Sequence, residues 1–185
     1  MIRCFALALL LIATQATAAP EAYRLDVARS TVGFSYDFGQ GDNRGTLPIK
    51  SADMRIDLRD LGASQLAVTL DATGARAGFL FATQAMKGPE VLDTAHHPDI
   101  TFRSTEITGT PQAARITGLL TVRGVTRTIT LDAGLYRQRG TDPDNLDQLT
   151  VLLTSTINRN AFGASGFATL VGPMIGLRIV ARVER

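Results

Sequence analysis

Residues 32–38 read Val32-Gly33-Phe34-Ser35-Tyr36-Asp37-Phe38, with a large apolar side chain at every second position. Successive side chains of a β-strand point to opposite faces, so this pattern predicts a strand with one apolar and one more polar face. The same alternation returns along the chain at 54–58, 66–70, 100–102, 116–122, 129–133, 149–155 and 177–183. We therefore expect an all-β protein of about eight amphipathic strands.

Short turn-forming stretches separate these runs, at 39–43, 60–62, 109–111 and 142–145. Arg123-Gly124-Val125 joins two alternating runs and predicts a hairpin. Pro48 predicts a sheet edge, a bulge or a strand break, because proline cannot donate to a strand ladder. Short connections favour an antiparallel sheet that forms either a two-layer sandwich or a closed up-and-down barrel, and alternation alone does not choose between them.

The segment from Gly74 to Thr94 lacks the alternation. Pro89 followed by Glu90, Val91 and Leu92 suggests a helical turn or two, with proline at the first helical position. The preceding part, from Ala75 to Met86, fits a loop or a short helix. We expect a short helical insertion around 75–92, where a lid could lie.

The N-terminus has the features of a secretory signal. Arg3 precedes the uncharged run 5–13, and Ala16-Thr17-Ala18 is a small-x-small cleavage site. We expect a signal peptide at 1–18, a single domain at 19–185 and a periplasmic location. A retained membrane anchor is the alternative, but the apolar run is short for a membrane span. The one cysteine, Cys4, lies in this signal, so the mature chain would have no disulfide or thiolate chemistry.

Charge and histidine content argue against several function classes. The formal net charge is only +2, and no basic arm is present, so nucleic acid is a poor partner. His96 and His97 are the only histidines and, as neighbours on an extended segment, would point to opposite sides. We expect no metal site, no cofactor and no catalytic residues.

Several stretches resemble the YceI-like family of lipid-binding barrels. Leu92-Asp93-Thr94-Ala95-His96-His97-Pro98-Asp99-Ile100-Thr101-Phe102-Arg103-Ser104-Thr105 is similar to the family's aspartate, tyrosine-proline and T-F-x-S-T stretch. The run 116–127 resembles G-x-L-T-x-x-G-V-T-[KR]. Weaker similarities lie at 157–163, and 23–26 and 32–34 fit the opening strands. The order of these stretches along nearly the whole mature chain makes the combination specific.

The resemblance implies an extended lipocalin-like antiparallel barrel that holds an amphiphile with a long polyisoprenoid tail. Small side chains beside large ones on the apolar faces are compatible with a tube. The expected partner is an isoprenoid-tailed lipid of the quinone or polyprenyl type, exchanged during transient membrane contact. The candidate lipid-binding residues are Phe34, Tyr36, Phe38, Phe79, Phe81, Met86, Phe102, Leu120 and Phe162.

Two alternatives remain open. The same side chains could fill a solid core, which would suit a stress or interaction protein. An enzyme acting on apolar substrates would need a polar group deep in the barrel, and the alternating faces offer Tyr36 and Ser155. Arg159 could be a buried ion-pair partner or a headgroup contact, and the structural role is favoured.

The chain departs from the family pattern at two places. Ala82-Thr83-Gln84-Ala85-Met86 stands where the family usually has R-D-x-H-L, and His97 replaces the usual tyrosine before Pro98. If the missing charged and imidazole groups contact a headgroup in relatives, the headgroup preference of this protein should differ.

Overall fold

The computed structural model describes residues 21–39, 41–137, 142 and 145–185. One helix, α1 (Leu80–Lys87), lies within this part of the chain, between β5 and β6, with short 3-10 turns at Val27–Arg29, Leu61–Ala63 and Arg159–Phe162. The strands are β1 (Glu21–Leu25), β2 (Thr31–Phe38), β3 (Gly41–Leu47), β4 (Ile49–Ile56), β5 (Gln65–Asp71), β6 (Asp99–Thr110), β7 (Ala113–Val122), β8 (Val125–Arg137), β9 (Gln148–Asn158) and β10 (Val171–Glu184). The all-β prediction is confirmed.

Eight of the strands close into an antiparallel barrel. Strands β4 to β10 are neighbours in chain order, and β1 lies between β4 and β10. The seam is short, since β1 meets β10 only at Arg24↔Glu184 and Leu25↔Val183. Closure excludes the two-layer sandwich and confirms the lipocalin-like barrel.

The hairpin of β2 and β3 widens one end of this barrel. β10 pairs with β2 along Val171–Val180 and reaches β1 only in its last residues, so its edge is shared between two partners. The far edge of β3 makes one bridge, Thr46↔Arg76, to the segment that leads into α1. We call this the wide end, where α1, the loop 163–170 and the β7–β8 hairpin also lie.

Local chemistry explains the connections at this end. Arg123 and Gly124 both have positive φ, 52° and 72°, as a two-residue type I′ hairpin requires, so the predicted hairpin is confirmed. The Arg123 guanidinium donates to the carbonyls of Pro89 and Gly163, which ties the hairpin to the segments beside it. Pro48 separates β3 from β4, as a predicted strand break.

Two predicted details were wrong. The stretch 39–43 is not all turn, because β3 begins at Gly41 and pairs with β2 along its whole length. Pro89 does not start a helix; α1 ends at Lys87, and residues 89–92 form turns. A proline just beyond a helix end is explained by its inability to continue the helical hydrogen bonds. The predicted signal peptide at 1–18 lies outside the described residues.

Candidate functional site: an apolar cavity in two compartments

The barrel is hollow. Inward side chains from its strands surround a cavity of about 220 Å³, which we call the inner compartment. A void of this size lined by hydrocarbon is poorly suited to water, which needs polar partners, and suits an apolar ligand. The strand residues along its wall include Val32, Phe34, Ala52, Met54, Val68, Ile100, Phe102, Leu120, Ile129, Leu153, Ile175, Leu177, Ile179 and Ala181.

Two glycines keep aromatic rings against the wall. A Cβ atom at Gly45 would lie 2.1 Å from the Phe34 ring, and one at Gly118 would lie 2.5 Å from the Phe102 ring. The rings therefore occupy the space that other residues at 45 and 118 would fill. The small residue at 118 does not itself leave open space; it lets the ring of Phe102 lie along the sheet.

A packed cluster closes the end of the barrel opposite the wide end. Tyr23, Met54, Ile56, Leu149 and Val183 form it, and Leu149 is fully buried. Tyr23 also donates its hydroxyl to a backbone carbonyl in the loop before β9, which satisfies its polar atom. Met54 belongs both to this cluster and to the cavity wall, so the cluster forms a floor.

A second cavity of about 250 Å³, the outer compartment, lies at the wide end. Its wall combines the ends of β2 and β10 with α1 and the loop 163–170. The two compartments share five wall residues and therefore adjoin: Phe34, Met86, Val91, Arg159 and Ile175. Together they form one apolar route from the floor of the barrel to its wide end.

Arg159 is the one charged residue among the described residues that line these compartments. It is 7% exposed, and its guanidinium donates to the carbonyls of Gly172 (3.0 Å), Ala164 (2.6 Å), Gly166 (2.8 Å) and Val171 (2.9 Å). These contacts use four of the five N–H groups of an arginine. Burial lowers the pKa of this guanidinium. A structural role is supported, but the partners differ from the expected ion pair, because they are backbone carbonyls and no described carboxylate forms an ion pair with Arg159.

The hydroxyl groups suggested for an enzyme have other partners. Tyr36 donates its hydroxyl to the carbonyl of Ala77 at 2.7 Å, and burial raises its pKa. Ser155 donates to the carbonyl of Thr130 at 2.6 Å. Neither hydroxyl is paired with a base, as an activated nucleophile would be.

The two histidines serve separate local contacts. His96 Nδ1 lies 2.9 Å from Asp93 Oδ1 at the surface, and the His97 ring packs on Gly124. In the described ranges, no group of three or more His, Cys, Asp or Glu side chains is placed to hold a metal ion.

The structure places all nine candidate residues around this cavity. Phe102, Leu120 and Phe162 line the inner compartment, and Phe34 and Met86 line both. The outer compartment takes the remaining members of the set, which are Tyr36, Phe38, Phe79 and Phe81. The nine residues thus come from five separate parts of the chain to one continuous surface.

Sequence reasoning missed Val91, Phe167 and Leu170 as wall residues of the outer compartment. The sequence predicts a helical turn at Val91, and the other two residues lie in a loop without strand alternation. The available signal was the presence of two large apolar residues in a glycine-containing loop that periodicity does not explain.

Fold and cavity together define a closed antiparallel β-barrel with an apolar interior and a widened, helix-flanked end. The YceI-like domain model matches residues 23–183, and the chain therefore belongs to the YceI-like family. No helix in the part of the chain that the structure describes is both long and apolar enough to cross a membrane.

Curated relatives match over part of their length. Protein YceI of Escherichia coli O157:H7 is 31% identical over 99 residues, which is 54% of this chain and 51% of that protein. A UPF0312 protein of Pseudomonas putida is 30% identical over 105 residues, or 56% of this chain and 54% of the relative. The chain spans about half the length of the curated relatives it matches.

Solved structures share the fold at low sequence identity. BcnA of Burkholderia cenocepacia superposes with a TM-score of 0.77 at 20% identity, covering 86% of this chain and 99% of that one. The YCEI protein of Campylobacter jejuni gives 0.67 at 21% identity, covering 76% and 84%. A polyisoprenoid binding domain from Saccharophagus degradans gives 0.66 at 14% identity, covering 88% and 98%.

Proposed function

We propose that this protein is a lipid-binding carrier or buffer that holds one long isoprenoid tail in the barrel. The observation that carries the proposal is the continuous apolar route from the floor of the inner compartment to the wide end. Membership of the YceI-like family and similarity to a polyisoprenoid binding domain support it. A binding protein also fits the lining better than an enzyme does, because its polar groups, the Tyr36 hydroxyl and the Arg159 guanidinium, donate to backbone carbonyls.

The dimensions and energetics suit a slender chain. Ile175, Leu177, Ile179 and Ala181 line the inner compartment along β10, and at about 3.3 Å per residue they span about 20 Å of strand. Burial of apolar carbon contributes about 0.8 kcal/mol per CH₂, so each five-carbon isoprene unit contributes roughly 3–4 kcal/mol before ordering costs. A few units suffice for tight binding, with selection by width and length.

The outer compartment favours an uncharged headgroup. On α1, Ala82, Ala85 and Met86 face it, while Gln84 is exposed. Thr83 uses its hydroxyl locally, as donor to the Phe79 carbonyl and acceptor from the Ala77 amide. A phosphate or diphosphate would find a single, already engaged guanidinium there. A quinone-type head, which needs few hydrogen bonds, fits this lining better.

The direct test is native mass spectrometry of the protein prepared without denaturation from its own host. We expect about one bound lipid per chain, with a neutral head and an isoprenoid tail, because one tail fills the cavity. Extraction and fragmentation of the released lipid identify both parts. Repeated gentle preparations that yield lipid-free protein would contradict the proposal, and a phosphorylated head would contradict the headgroup assignment.

Export to the periplasm is part of the same proposal, because the sequence at 1–18 has the form of a cleaved signal. We expect osmotic shock to release the protein, with Ala19 as its first residue by N-terminal sequencing. Recovery of the chain from the cytoplasm with Met1 or Ile2 at its start would overturn this assignment.

A further inference from the structure

Six large apolar side chains stand exposed around the opening of the outer compartment. We call them the rim patch: Phe38, Phe79, Leu80, Phe81, Phe167 and Leu170. Phe81 is 77% exposed, Leu80 67% and Leu170 53%, so these side chains add little to the folded core. Clustered exposed apolar residues on a small protein mark an interaction site more often than single ones do.

Two rim-patch residues occupy backbone positions where an aromatic residue does not stabilise the fold. Phe79 occupies the N-cap of α1 and makes no side-chain hydrogen bond, although polar residues are preferred at that position. Phe167 has a φ of +58°, which is unusual for a bulky residue. Both departures hold an aromatic ring at the opening, which suggests that the rings serve a role other than packing.

The rim patch is continuous with the lipid cavity. The Phe38 and Phe79 rings pack edge-to-face with centroids 5.8 Å apart, joining β2 to α1. The Gly39 amide donates to the Leu170 carbonyl at 3.2 Å and joins β2 to the loop. All members except Leu80 also line the outer compartment. Apolar surface therefore runs without interruption from the outside of the protein into the barrel.

We propose that the rim patch inserts into the surface of a phospholipid bilayer, so that the barrel loads and releases its lipid directly from the membrane. The inference rests on the proposed function. A bilayer fits because it covers the apolar rim and still lets a lipid pass between the rings, whereas a protein seated there would block the opening. The patch has no charged member, so insertion should depend on apolar burial rather than on anionic lipid.

A single substitution separates docking from folding. Leu80 is the first residue of α1, where a carboxylate is favourable to the helix dipole, and it does not line either compartment. Leu80→Asp should therefore preserve the fold and the lipid content while placing a charge at the membrane contact. Leu119→Asp is the matched control, because Leu119 is 42% exposed on the outer wall and pairs with Arg103 across the strands.

The measurement is co-flotation with phosphatidylcholine vesicles, with and without phosphatidylglycerol, alongside native mass spectrometry of each variant. We expect the wild type to float with both vesicle types and Leu80→Asp to partition about tenfold less or weaker still. Leu119→Asp should float as the wild type does. The lipid content of all three should be equal.

Three outcomes would overturn the inference. They are a wild type that carries lipid but ignores vesicles, a Leu80→Asp variant that floats normally, and a rim-mediated dimer in light scattering that Leu80→Asp dissociates. The last would assign the rim patch to a second copy of the chain. Absence of lipid from the wild type would instead contradict the proposed function, so the two failures are distinguishable.

Discussion

Ala52→Phe should abolish lipid binding while leaving the barrel folded. Ala52 lines the inner compartment from β4, and a phenyl ring at this position would lie across the space that the proposed lipid tail would occupy. Loss of room for one isoprene unit removes roughly 3–4 kcal/mol of burial, which lowers affinity by a factor of about 10² or more. Native mass spectrometry should show lipid on less than about a tenth of the chains.

The stability of this variant should change little. Overpacking a filled core typically costs about 1–3 kcal/mol, but here the ring enters an existing cavity and gains burial of its own. Ala67→Phe is the control on the adjacent strand. Ala67 pairs with Asp53, next to Ala52, and points to the outer face. The Ala67→Phe variant should keep its lipid. If a folded Ala52→Phe variant also retained lipid, the ligand would have to lie outside the inner compartment.

Arg159→Met should destabilise the protein by about 3–5 kcal/mol. The substitution leaves four carbonyl groups without their donor, those of Ala164, Gly166, Val171 and Gly172. Each buried acceptor left unpaired costs about 1–3 kcal/mol, and partial access of water reduces the sum. Urea unfolding monitored by circular dichroism measures the loss.

Two further variants show whether the loss of stability comes from the geometry of the Arg159 guanidinium or from its charge. Arg159→Lys keeps the charge but not the planar set of donors, and we expect it to recover only a minor part of the loss. Arg178→Met, on the exposed face of β10, should change the free energy of unfolding by less than about 0.5 kcal/mol. If Arg159→Met lay within about 1 kcal/mol of the wild type, the loop 163–170 would not depend on this guanidinium.

Most strands could be predicted because their alternation reflects one buried and one exposed face. β3 could not, since its inward positions are Asn43, Gly45 and Leu47. Only one of these is a large apolar residue. The strand forms because β2 offers a pairing edge and the Phe34 ring covers Gly45. Both are tertiary contacts, which the sequence pattern of β3 itself does not reveal.

The site could be predicted in part for the same reason. Where apolar and polar residues alternate along a strand, this alternation alone predicts that residues such as Phe102 and Leu120 face the interior. The outer compartment depends on where α1 and the loop 163–170 pack against the barrel. The local sequence pattern does not predict these positions. The family resemblance supplied Phe162, whereas Phe167 and Leu170 needed the structure.

The glycines beneath Phe34 and Phe102 also limit which side chains can stand at these two positions of the wall. A single methyl group at residue 45 or 118 would force a ring or a strand to move, because its carbon would overlap both the ring and a backbone carbonyl. The width of the tube thus depends on the absence of a Cβ atom at both residues. A larger residue at either position would therefore change the width of the tube by displacing an aromatic ring or a strand.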